Sequence, residues 1–103
     1  MSKKYLTIIN KYVRAIRNKG IKVDEVYLFG SRINGKSHKW SDLDTCIISP
    51  DFGKDPIAET SMLFSLTRDI SLLIEPHPFS PQDFNDKFNP LAQEVKRTGI
   101  KVI

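Results

Sequence analysis

Tyr27–Ile48 reads YLFGSRINGKSHKWSDLDTCII. Both ends are apolar, and the middle is glycine, serine, basic residues and two aspartates one residue apart. The apolar ends predict two strands, Val23–Phe29 and Leu43–Ser49, the second ended by Pro50. In the first, VYLF is apolar on both faces, as in a strand covered by helices on one side and by loops or a partner on the other. Asp42 and Asp44 open the second strand. Side chains alternate across a strand, so both carboxylates project from one face. Two adjacent anions repel, and one takes up a proton unless a divalent cation sits between them. Hard oxygen ligands select magnesium or manganese over softer metals, and carboxylates plus substrate phosphates are the usual magnesium donors. A lone Asp-x-Asp is more often a strand-opening turn.

Gly30-Ser31 changes that balance. Gly30 ends the first strand, and Ser31 begins a polar segment whose exposed N–H groups and hydroxyl form an anion site. Glycine lets phosphate oxygens approach the backbone without a Cβ in the way. Each motif alone is weak. Together, on consecutive strands at a spacing of ten residues, one half suits a polyphosphate and the other the metal that bridges to it.

Outward from this stretch, the chain reads as a small mixed domain. Ser2 caps a first helix, Lys3–Lys19, with Tyr5, Ile8, Ile9, Tyr12, Val13 and Ile16 on its inner stripe and Gly20 as its C-cap. PDFGKDP is a loop. A second helix is predicted over Ile57–Thr67, with Ile57, Met62, Phe64 and Leu66 facing inward. ISLLIEP predicts a third strand, halted by Pro76 and Pro78. Ser80-Pro81 and Asn89-Pro90 each pair a cap residue with a helix-opening proline; the second of these helices runs through Leu91, Ala92 and Val95 to Gly99. IKVI is a last short strand. The fold class is α/β (α+β): a small mixed β-sheet of about four strands with helices packed mainly on one face.

The 103 residues are read as one domain, residues 1–103, burying roughly two-thirds of the unfolded surface. Cys46 is the single cysteine, which rules out an internal disulfide and a cysteine-cluster zinc site. No run approaches the length of a membrane span. MSKKYLTIIN is patterned as a helix and not as a signal peptide. A reducing, cytoplasmic location is expected. The net charge of +4 and pI near 9.3 suit an anionic ligand such as nucleotide phosphates. The basic residues are spread along the chain, which does not favour a nucleic-acid acceptor.

GSRINGKSHKWSDLD resembles the Gly-Ser-x10-Asp-x-Asp signature of the DNA polymerase beta-like nucleotidyltransferase superfamily. It is most similar to the minimal nucleotidyltransferases, including the Arg32, Gly35 and Ser41 positions of the form GSRARG…SDID. IEPHPFSPQDF and NPLAQEVKRTGIKV resemble one branch of that family. The resemblance implies transfer of a nucleoside monophosphate from an NTP, ATP by family default, to an acceptor hydroxyl, with release of pyrophosphate. It implies two magnesium ions, or manganese, held by Asp42, Asp44 and a third carboxylate. Glu75 is favoured for that third position. Asp69 is placed at the other end of the same predicted strand, on the same face but about 20 Å away at the usual rise. Gly30, Ser31 and Arg32 would bind the nucleotide phosphates, a surface salt bridge being an equally good reading of Arg32. Glutamate in place of the aspartate seen in relatives, and Thr45-Cys46 in place of plainly apolar residues, depart from the family form. Cys46 is read as a small buried residue. His38 and His77 lack a metal-ligand pattern and are read as surface or loop residues, and Trp40 as packing a loop.

A chain this short has no room for an acceptor-binding domain, so the acceptor is small or delivered by a partner. Family knowledge implies a tyrosine of a HEPN-domain toxin, with this chain as the antitoxin. Alternatives are a weakly catalytic module that inhibits a partner by occupancy, and nucleotidylation of a small molecule or nucleic acid. The terminal IKVI strand, as an open sheet edge, can pair with another chain, which fits a homo-oligomer or heterocomplex.

Overall fold

The computed structural model describes residues 3–30, 33 and 42–103. Ser2, Ser31, Arg32, Gly35, His38, Trp40 and Ser41 lie outside the described residues.

Helix α1 (Lys3–Asn18) turns Ile9, Tyr12, Val13 and Ile16 inward at the expected three- and four-residue spacing. Gly20 ends it at φ +83, a left-handed conformation that favours glycine. Strand β1 (Glu25–Phe29) pairs antiparallel with β2 (Leu43–Ile48), with Val26 opposite Ile47 and Phe29 opposite Asp44. Helix α2 (Pro56–Ser65) then crosses to β3 (Ile74–Phe79), which lies parallel to β2. Helices α3 (Pro81–Phe84) and α4 (Pro90–Thr98) follow, and β4 (Ile100–Lys101) returns antiparallel to β1. The strand order β3-β2-β1-β4 makes a mixed four-stranded sheet. Asp55, Ser80 and Asn89 cap α2, α3 and α4 through their side-chain oxygens, and each is followed by a proline in the first helical turn.

Alternation along the strands divides the core. On one face Val26, Leu28, Leu43, Ile47 and Ile74 pack with α1 and Leu63 of α2. The Tyr12 hydroxyl donates to the Leu63 carbonyl at 2.7 Å and ties the two longer helices together. On the other face Phe29, Cys46, Ile48 and Phe79 pack with Phe84, Ala92 and Val95 of the two shorter helices. That second face carries Asp44, Glu75 and His77, all half-buried.

Two expectations are corrected. The third strand does not end at Pro76; it runs Ile74–Phe79 through both prolines. The reason lies in its edge position. The carbonyls of Leu73 and Phe79 accept amides from Leu43 and Ser49, so odd-numbered residues of β3 turn their polar groups toward β2. Pro76 and Pro78 are of the other parity, and their nitrogens face the open edge, where no donor is needed. In α2, Ile57 is 83% and Phe64 43% exposed, whereas Leu63 is fully buried. Met62, Leu63, Phe64 and Leu66 surround the helix axis, so the spacing did not choose the inward face; Met62 and Leu66 do pack on the core. Among the described residues no helix is long and apolar enough to cross a membrane.

Candidate functional site

The in-register pairing of β2 and β3 builds the site. Asp44 is paired with Glu75, and Cys46 with His77. In a parallel pair, residues matched this way share a face, so the Asp44 and Glu75 carboxyls stand side by side. Asp42, exposed just ahead of β2, comes close enough to hydrogen-bond Glu75 as well. Of the three carboxyls singled out in the sequence, Asp44 and Glu75 stand side by side, and Asp42 lies near Glu75 but outside the tight group, whose third member is His77. Asp69 lies in the turn after α2 and not on β3, so the predicted shared strand does not exist. Ser31 and Arg32 lie outside the described residues.

Gly30 closes the other side. It follows β1 at φ +89, and a Cβ built there would overlap Asp44 Oδ2. The glycine is needed twice, once for its left-handed backbone and once for the space that the Asp44 carboxylate occupies. The sequence alone suggests a phosphate for that space, and the structure puts the Asp44 carboxylate there.

His77 is the residue that sequence reasoning missed. It sits on β3, not in a loop, with Nε2 3.1 Å from Asp44 Oδ1. The two side chains are 24% and 23% exposed. The imidazole also tilts against Phe29, with ring centroids 5.2 Å apart. Donor atoms of Asp44, Glu75 and His77 all lie within 4.8 Å of one another. The signal is Glu75-Pro76-His77, in which Glu75 and His77 stand two apart on one strand face; it is legible only if the strand continues through the prolines.

The electrostatics follow from this crowding. Burial raises the Glu75 carboxyl above the ordinary glutamate value, and hydrogen bonding to Asp44, the Asp44 charge and the Asp42 carboxyl add to it; His77 opposes them. Glu75 thus keeps its proton to higher pH than a solvated glutamate. The departures after Asp44 are structurally satisfied. The buried Thr45 hydroxyl donates to the Leu43 carbonyl at 3.0 Å. Cys46 is fully buried and unpaired, and burial pushes its thiol up to about 12. A cluster of hard oxygen donors, one imidazole and a tight glycine turn can bind a divalent cation and can give or take a proton at Glu75.

Residues 9–102 match the family model of the nucleotidyltransferase domain. The chain belongs to that family. A chain from a toxin–antitoxin crystal structure with AMP-PNP has the same fold at TM-score 0.60 and 23% identity, over 91% of this chain and 71% of that one. The toxin–antitoxin MntA-HepT gives TM-score 0.60 and 22% identity, over 94% and 70% of the two chains. A complex of tri-AMPylated Shewanella oneidensis HEPN toxin with MNT antitoxin gives TM-score 0.55 and 19% identity, over 94% and 70%. No curated protein sequence matches the chain. Family membership and these neighbours agree with the nucleotidyltransferase resemblance carried by Gly30-Ser31 and Asp42-x-Asp44.

Proposed function

We propose that this nucleotidyltransferase moves AMP from ATP onto a hydroxyl of a partner protein, a tyrosine of a HEPN-domain toxin, and so acts as an antitoxin. The observation that carries this reading is the in-register pair Asp44–Glu75 with Asp42 beside it and Gly30 packed against it. The structural neighbours support the acceptor class: one was solved with AMP-PNP and another holds an AMPylated HEPN toxin.

The donor set fits a divalent cation. Burial first, and then the neighbouring Asp44 and Asp42 carboxyls, disfavour the charged form of Glu75, and a bound cation opposes both. Asp42, Asp44 and Glu75 would hold magnesium or manganese; the His77 nitrogen is a donor that manganese accepts more readily than magnesium. When bound, such ions act as Lewis acids on phosphoryl oxygens and lower the pKa of the attacking hydroxyl.

The chain's own groups do the rest. Ser31 and the Gly30–Ser31 backbone bind the terminal phosphates, and Arg32 neutralises the leaving pyrophosphate. The acceptor oxygen attacks the α-phosphorus, the bond to the β-phosphate's bridging oxygen breaks, and pyrophosphate leaves. A Glu75 carboxylate oxygen takes the proton lost by the hydroxyl. Charge spread over phosphoryl oxygens is met by fixed groups, so positioning and electrostatics dominate.

The deciding experiment mixes purified protein, labelled ATP, magnesium and the HEPN-domain partner, and locates the label by mass spectrometry. Label on a partner tyrosine is expected. Tight binding with no label would assign inhibition by occupancy, and label on RNA or a small molecule would assign a different acceptor.

A further inference from the structure

We propose that the outer side of α2 is the docking groove for an amphipathic helix of the acceptor protein, with an acidic residue of that helix facing Arg68. The proposal rests on the protein-acceptor reading above and names where the acceptor is held.

Five large apolar residues are exposed among the described residues, and three of them, Ile57, Phe64 and Leu72, line one groove of about 770 Å³. Ile57 and Leu72 are more than four-fifths exposed. Positions 57, 60 and 64 fall on a single stripe of α2, and the turn after it extends the groove past the helix end with Arg68 and Leu72. A long apolar trough along one helix suits another helix presenting residues at three- and four-residue spacing.

Charge selects the occupant. Arg68 is the only charged residue lining the groove, and its side chain has no hydrogen bond or ion pair among the described residues. An arginine with five donors at an apolar margin is complementary to a carboxylate. A second copy of this chain fits poorly. The apolar stripes of α1 and α4 are already buried. The outer side of α1 carries Lys3, Lys11 and Arg14 and no acid, so it would set like charge against Arg68. The occupant that matches both the apolar stripe and Arg68 is a helix of a different protein, apolar along one side and acidic beside it.

Placement connects the groove to the candidate site. Leu72 is three residues before Glu75, and the next carbonyl, Leu73, accepts the amide of Leu43 at 2.6 Å, between Asp42 and Asp44. A helix seated on α2 is thus anchored at the end of the sheet where the carboxyls converge, though on its other face.

The test uses two synthetic amphipathic helices, leucine at i, i+4 and i+7 with glutamate or with lysine beside the stripe, and fluorescence anisotropy. The glutamate peptide is expected to bind about tenfold tighter than the lysine peptide. Arg68→Glu should reverse that order, Leu72→Asp should weaken both by about tenfold, and Asp44→Asn should change neither. In transfer assays with the HEPN-domain protein, Arg68→Glu and Leu72→Asp should raise KM for the acceptor while leaving ATP binding unchanged. Equal affinity for the two peptides, or an unchanged order in Arg68→Glu, overturns the docking site. Self-association abolished by Leu72→Asp would also overturn it, by giving the groove to a second copy. Peptide binding that follows these rules with no transfer to any protein retains the groove and rejects the catalytic reading.

Discussion

Gly30→Ala separates backbone strain from crowding at the candidate site. The alanine must adopt φ +89, and its Cβ must share space with Asp44 Oδ2, while Asp44 Cγ and Cβ stand 3.1 and 3.4 Å away. Holding a non-glycine residue in a left-handed conformation costs about 1–2 kcal/mol. Relief of the overlap requires the Asp44 carboxylate to rotate. That breaks its 3.1 Å contact with His77, a hydrogen bond worth about 1 kcal/mol net at a partly solvated site. Gly30→Ala should therefore destabilise the wild type by about 2–3 kcal/mol. In an Asp44→Ala background the carboxylate is gone, the nearest remaining atom is in ordinary contact, and only about 1–2 kcal/mol of strain remains. The assay is a double-mutant cycle by urea unfolding, read as shifts in midpoint at constant m. The same substitution should weaken divalent-cation binding in the Asp44-containing protein, measured by calorimetry. Identical Gly30→Ala effects in both backgrounds would show that the carboxylate does not pack on Gly30, and the geometry proposed for the site would fall with it.

Asp42→Asn and Asp44→Asn should each lower transfer by about 10²-fold or more while leaving circular dichroism unchanged; transfer that survives Asp42→Asn refutes the site. The raised Glu75 carboxyl has a definite sign in linkage. Below 4.5 both folded and unfolded forms are protonated; above it the unfolded chain releases the proton first, so cation-free stability falls as pH rises. Glu75→Gln should remove that loss and raise the neutral-pH melting temperature without cation, yet abolish the stabilisation that magnesium gives the wild type. A parallel fall in the Gln variant would place the effect elsewhere. Cys46 should resist thiol reagents at about pH 8 until the protein unfolds. Because burial lifts its thiol from 9.0 to about 12, stability should also decline between those values as the unfolded thiolate forms; rapid native labelling would contradict its burial.

How much of this was legible in the sequence depended on whether the deciding force was local. Caps and turns are local, and Ser80-Pro81, Asn89-Pro90 and Gly20 stand where they were expected. Apolar periodicity is local too, and α1 follows it because its outer side is polar throughout. In α2 the apolar residues surround the helix, so only tertiary packing could choose Leu63 over Ile57 and Phe64. The carboxyl pair was half legible. Alternation placed Asp42 and Asp44 on one face, whereas bringing Glu75 beside Asp44 is a matter of register between strands separated by α2.

The prolines of β3 explain the largest misreading and have a consequence of their own. Proline ends a strand only where its nitrogen would have donated to a neighbour. Pro76 and Pro78 alternate with Glu75 and His77, so the same parity that turns both prolines to the free edge turns the site residues toward the acidic face. An edge with two prolines cannot accept another strand, which protects the strand bearing Glu75 from pairing with a second chain. The opposite edge is β4, only two residues long. Strand addition is therefore confined to that short edge, remote from Glu75 in the order β3-β2-β1-β4. Replacing both prolines with threonine should open the β3 edge and produce self-association visible by sedimentation. A strictly monomeric variant, if the wild type is monomeric, would mean that something other than the missing N–H groups guards this edge.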